Sequence, residues 1–166
     1  KIANYVGFCD SDDYIHEEWV ASLSSVAEIG DFDLVHCNGY TLIGDKLIES
    51  DNFIFGRLYR FRNPIYLNSA LVSLKYYKEN IGALDERLRL IYDQDLWIRM
   101  LSSGCRYAHI SDRLFYYRKH SSSLSQEFFQ IARERKIIKK KHNLPFFKFH
   151  IFNLLMLKNI FRNKLR

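Results

Sequence analysis

Three carboxylates fall within four residues at Asp10, Asp12 and Asp13. Like charges this close repel one another unless a cation joins them. Magnesium is typically held by one or two carboxylates plus phosphate oxygens, and manganese accepts the same ligand set. The segment is therefore a candidate cation–diphosphate site. It also suits a helix cap, with Asp12 or Asp13 preceding the acidic pair Glu17-Glu18. A phosphatase-type Asp-x-Asp competes, whereas a calcium loop fails because the acids and glycine do not recur at its positions. A second acidic pair, Asp93 and Asp95, stands where a helical pattern begins. A carboxylate there can take a proton from a substrate hydroxyl or simply satisfy free helix N–H groups. His120, before a serine run, offers an imidazole that is either a ligand or a solvated loop residue. Cys9, Cys37 and Cys105 have no metal or redox spacing. Each lies in an apolar run, which predicts buried, reduced thiols and a reducing compartment.

The elements that must position these groups can be read from periodicity. Residues 2–9 are almost continuously apolar and predict a buried strand, with the acids at its C-terminal end. In open α/β sheets ligands bind at that end. A helix is expected from Glu17 to Glu28, with Trp19, Leu23, Val26 and Ala27 as its apolar stripe and Gly30 as its stop. Phe32–Cys37 predicts a strand that Asn38-Gly39 turns back into Tyr40–Ile43. Residues 44–64 carry no clear pattern, and Leu67–Tyr77 suits strand or helix equally. Asn80–Arg89 reads as a loop. A helix over Gln94–Ser103 follows, with Asp93 as its N-cap and Gly104 beyond its end. Arg106–Ile110 and Leu114–Arg118 predict two short strands, and Ser121–Ser123 breaks the pattern. Helices are expected over 125–141 and 146–161, separated by Pro145.

The chain has 166 residues, 48% hydrophobic and 27% charged, with only 7 Gly and 2 Pro. That excludes a disordered or low-complexity protein and allows a full core. No apolar run reaches membrane-spanning length. Net charge is +6 and unevenly placed: −3 over residues 1–126, +9 over residues 127–166. Two regions are expected accordingly, a mildly acidic body at 1–126 and a basic amphipathic helical tail at 127–166. Lys and Arg beside an aromatic-aliphatic stretch suit an anionic membrane surface. Nucleic acid is not expected as a partner, because no reading motif is present and the acidic body repels phosphates.

Several segments, taken together, resemble family 2 glycosyltransferases of the GT-A fold. Phe8-Cys9-Asp10-Ser11-Asp12-Asp13-Tyr14 resembles their Asp-x-Asp segment. Asn63-Pro64-Ile65, Ser69–Leu74 and Ile81–Leu88 look like the acceptor side. Tyr92-Asp93-Gln94-Asp95-Leu96-Trp97 looks like the catalytic helix, and Tyr117-Arg118-Lys119-His120 like the closing Tyr-Arg-x-His element. They occur in family order over roughly residues 2–125. The resemblance implies an α/β fold: a partial, Rossmann-like GT-A domain with a mixed sheet flanked by helices, here without the N-terminal nucleotide-binding half. It implies Asp93 as general base, with Asp95 the alternative because Tyr92 replaces the usual preceding acid. It implies Asp12 and His120 as ligands of Mn2+ or Mg2+, and Asp10 and Asp12 beside the nucleotide-sugar donor. The implied activity is inverting, metal-dependent sugar transfer to a glycan or lipid-linked acceptor, as in surface polysaccharide biosynthesis. The expected location is the cytoplasm, peripheral to the inner membrane face. The chain starts inside a strand, as a piece of a longer protein would, and the competing expectations are a non-catalytic fragment or interaction module, or a protein binding nucleic acid through its basic tail. If the tail docks on lipid, deleting it from residue 127 reduces pelleting with anionic liposomes; unchanged pelleting refutes the idea.

Overall fold

The computed structural model describes residues 3–52, 54, 58–120 and 127–145. Its elements are β1 (Tyr5–Gly7), β2 (Tyr14–Ile15), α1 (Trp19–Gly30), β3 (Leu34–Ile43), β4 (Lys46–Ser50), β5 (Ala70–Ser73), α2 (Leu74–Tyr76), α3 (Tyr92–Ser102), β6 (Tyr107–Lys119) and α4 (Phe128–Lys141). The strands form one mixed sheet in the order β1-β5-β3-β6-β2, with β4 paired to β3 beside this path. Among the described residues β3 and β6 run parallel and the other pairings are antiparallel. The α/β mixed-sheet architecture expected from sequence is therefore present.

Alternation along the central strands divides the core. Leu34, Ala70 and Val72 face α3 and pack with Leu96, Trp97 and Met100. Val35, Cys37, Leu71 and Phe115 face α1 and pack with Trp19, Leu23 and Ala27. The sheet is thus covered on both faces, which explains the near-continuous apolar runs of its central strands. A third cluster joins Ile98 of α3 and Leu88 to Ile138 of α4 and Leu144. Helix α3 is consequently buried from two sides, and Trp97, Ile98 and Met100 have no exposed surface.

Four local expectations are corrected. The first strand is three residues long and lies at the sheet edge, paired antiparallel to β5. The apolar run is longer than the strand because Val6 and Phe8 pack on one core cluster and Tyr5 on the other. Asn38-Gly39 is not a turn. β3 continues through it, and the reversal into β4 occurs at Gly44-Asp45, where Gly44 has φ 57°. At Asn38 and Gly39 the parallel ladder slips instead: Cys37 pairs with Ile110, Asn38 with Arg113 and Gly39 with Phe115. A Cβ on Gly39 would lie 2.4 Å from the Phe115 carbonyl oxygen, so glycine is required by this close approach. The two strands expected at 106–110 and 114–118 are accordingly one bulged strand, β6. Finally, Cys9 is exposed, whereas Cys37 and Cys105 are buried as expected.

Helix α4, the first part of the basic region, is seated on the body through Ile138 and Glu134, both with 0% exposure. The second helix expected over 146–161 and the break at Ser121–Ser123 lie outside the described residues. Among the described residues no helix is long and apolar enough to cross a membrane. Because Ile138 fills the space between α3 and α4, Ile138→Ala is expected to cost about 2–5 kcal/mol in urea unfolding. A change near zero would mean that α4 is not seated there.

Candidate functional site

The acidic loop between β1 and β2 is a tight turn closed by the Asp13 N–H donating to the Asp10 carbonyl, 3.1 Å. Its three carboxylates have different surroundings. Asp13 is buried, and its Oδ1 accepts from the Arg118 backbone N–H at 2.8 Å while Oδ2 accepts from Asn68 Nδ2 at 2.8 Å. It therefore ties the loop to β6 and to the turn before β5. Burial, together with the charges of Asp12 and Asp10, pushes the Asp13 carboxyl up to about 6 against the Arg118 hydrogen bond. Asp12 is half-exposed, and its Oδ2 lies 2.9 Å from His120 Nε2 at the end of β6. The His120 hydrogen bond holds the Asp12 carboxyl below the usual carboxylate range. Asp10 is shifted the other way, by burial and then by the Asp12 charge.

Asp93 lies in the first turn of α3 rather than at its cap. The helix starts two residues earlier than expected, with Ile91 at the N-cap and no side-chain cap. Asp93 Oδ1 accepts from the Gln94 N–H at 2.8 Å, and Oδ2 accepts from Asn63 Nδ2. Burial pushes its carboxyl up to about 6 despite these donors, and the Asp10 charge adds to the rise. The Tyr92 phenol is raised by burial, then by the charges of Asp10 and Asp93. Asp10 thus feels Asp12 within its own loop and acts on Asp93 and Tyr92 from across the fold. Hydrogen bonds thus join the acid loop to the end of β6, and the Asp10 charge is felt at the start of α3.

Asp95 belongs to a different environment. Its carboxylate has no exposed surface and is held by Arg99 Nε at 2.9 Å, Lys141 Nζ at 2.9 Å and His142 Nε2 at 2.8 Å. Burial opposes its ionisation, but His142, Lys141 and Arg99 together hold it below the usual range. A carboxylate with its oxygens taken up in this way has no lone pair to offer a substrate hydroxyl. The i, i+4 pairing of Asp95 with Arg99 was visible in the spacing; the contributions of Lys141 and His142 were not. Sequence reasoning also missed Asn63 and Asn68 as donors to Asp93 and Asp13. Asn63-Pro64 stands in the segment read as acceptor-side, which is its only signal. Among the described residues, no group of three or more His, Cys, Asp and Glu side chains is disposed to hold a metal ion.

No family model matches the chain, and no curated protein matches it. Solved structures do. S. aureus TarS 1–349 in complex with UDP-GlcNAc superposes with a TM-score of 0.60 at 18% identity, covering 76% of this chain and 38% of that one. The same protein in complex with UDP gives 0.55 at 19% identity, covering 70% and 36%. S. aureus TarS gives 0.59 at 16% identity, covering 94% and 28%. At these identities the likeness is one of fold. The chain spans less than two-fifths of the length of these neighbours.

The raised Asp93 carboxyl has a thermodynamic consequence. Between the ordinary carboxylate value and about 6 the folded state holds a proton that the unfolded state has released. Stability is therefore fully present below the ordinary value and falls as pH rises through about 6. Asp93→Asn is expected to raise the melting temperature more at about pH 7.5 than at about pH 4. An equal shift at both would exclude a raised Asp93 carboxyl.

Proposed function

We propose that this chain carries the leaving-group and acceptor side of an inverting, metal-dependent glycosyltransferase acting on a nucleotide-sugar donor. The observation that supports this best is the Asp12–His120 pair beside Asp10, whose charge is felt at Asp93, a carboxylate raised where that of Asp12 is lowered. The fold of the neighbours, one bound to UDP-GlcNAc and one to UDP, supports a nucleotide sugar as donor.

In this reading the Asp93 carboxylate accepts the proton of an acceptor hydroxyl. A base whose pKa is pushed up to about 6 is still ionised near neutral pH, and it holds a proton more firmly than an ordinary carboxylate. Asn63 and the Gln94 N–H fix its orientation. The acceptor oxygen bonds to the anomeric carbon as the bond from that carbon to the diphosphate breaks. The nucleoside diphosphate leaves with the electron pair, and configuration inverts. No covalent enzyme intermediate is needed.

Asp12 and His120 would hold a Mn2+ or Mg2+ ion. Two protein ligands suit these ions when phosphate oxygens complete the shell, and a carboxylate with an imidazole is an acceptable donor pair for manganese. Such an ion neutralises charge on the departing diphosphate. Asp10 would lie near the donor ribose. The acceptor class is a glycan or lipid-linked sugar, with surface polysaccharide as the product. The basic region at 127–166 would bring the protein to an anionic membrane face from the cytoplasm.

Asp93→Asn in the full-length protein is expected to reduce transfer by about 10²–10⁴-fold with nucleotide affinity preserved. Asp12→Asn and His120→Ala are expected to weaken manganese-dependent UDP binding. Loss of nucleotide binding in Asp93→Asn would remove the base assignment. Absence of both transfer and hydrolysis by the wild type, tested with manganese across nucleotide sugars, would favour a non-catalytic module.

A further inference from the structure

Helix α3 begins without a side-chain cap of its own. The amides just ahead of it are nevertheless satisfied, from a distant part of the chain. Glu134 of α4 has no exposed surface, and its Oε2 accepts from the Leu90 N–H at 2.9 Å and the Ile91 N–H at 3.1 Å. Its Oε1 accepts from Gln130 Nε2 at 2.9 Å, one turn earlier on the same helix. An ionised carboxylate bonded to two backbone amides is a strong, short-range anchor. It also places negative charge at a helix N-terminus, where the dipole favours it.

The anchoring continues on both sides. Lys141 Nζ bridges Asp85 at 3.0 Å and Asp95 at 2.9 Å. His142 Nε2 reaches Asp95 at 2.8 Å, and Arg60 Nη2 donates to the His142 carbonyl at 3.0 Å. The segment from Asp85 to Asp95 is thus fastened to α4 at its start, middle and end. Asp93 lies two residues beyond Ile91 and inside this span.

We propose that Glu134 is a positioning residue for Asp93: by holding the backbone at Leu90 and Ile91 it sets where the Asp93 carboxylate points. The first half of the basic region then belongs to the reaction machinery. This rests on Asp93 being the proton acceptor.

The test is Glu134→Gln in the full-length protein, which keeps side-chain volume and one acceptor oxygen but removes the charge. Amide hydrogen exchange at Leu90 and Ile91 should accelerate at least about tenfold. The side-chain amide resonance of Asn63, which reports its hydrogen bond to Asp93, should shift. With UDP-GlcNAc and manganese, kcat should fall roughly tenfold or more while KM stays within about twofold. An unmoved Asn63 resonance in the folded variant overturns the proposal, as does a lowered Tm with kcat untouched. If Glu134→Gln does not fold, Gln130→Ala removes only the group that orients Glu134 and is read by the same measurements. A wild type without turnover whose Asn63 resonance still answers to Glu134 would sink the glycosyl-transfer reading and leave the positioning role standing. Turnover with an unresponsive Asn63 resonance would do the reverse.

Discussion

A carboxylate can leave water only if donors replace the water it loses, and this constraint organises the molecule around its candidate site. Asp13 meets it with Asn68 and the Arg118 amide, and so fastens the acid loop to β6. Asp95 meets it with Arg99, Lys141 and His142, and so fastens α3 to α4. Glu134 meets it with two backbone amides and Gln130. Removing one partner of such a group is expensive, because the remaining charge stays buried and unpaired. The buried acids therefore act as rivets between elements distant in sequence. Asp13 and Asp93 differ from the other two: their donors do not offset their burial, and each carboxyl is pushed up to about 6. Imperfect compensation is what leaves a carboxylate able to take a proton.

The contrast between Asp93 and Asp95 shows how two acids one residue apart receive different tasks. Both occupy the first turn of α3, where the helix dipole favours anions. Position around the helix separates them: one points toward Asn63 and the acid loop, the other toward the cationic end of α4. A like separation divides the acid loop, where Asp12 meets an imidazole and Asp13 is consumed by scaffolding.

The sequence carried the two-faced core well. The stripe Trp19, Leu23, Ala27 and the segment Leu96–Met100 are amphipathic or fully apolar at the right period, and they pack as periodicity requires. The acids, Asp93 and His120 were also legible, because residue type and spacing are local properties. Pairings across the chain were not. Asn38-Gly39 has the composition of a hairpin turn, but the β6 backbone approaches too closely there for any side chain, and the glycine serves that approach instead. Asp93 has the composition of a cap, but α3 begins two residues earlier, where Glu134, 43 residues away from Ile91, holds the incoming backbone. The basic run of α4 resembled a solvated or lipid-facing stripe; Ile138, Glu134 and Lys141 supply its inner face only once the fold is formed.

The slip in the β3–β6 ladder has a geometric corollary. Opposite three consecutive residues of β3, Cys37 to Gly39, β6 runs from Ile110 to Phe115, so it carries three surplus residues. Three is an odd number, and side chains on a strand alternate between faces. The surplus changes which positions of β6 face α1: Ala108 and Ile110 before it, Phe115 and Tyr117 after it. Without that odd surplus the strand's alternation would turn Phe115 away from α1, and the cluster there would lose a fully buried ring.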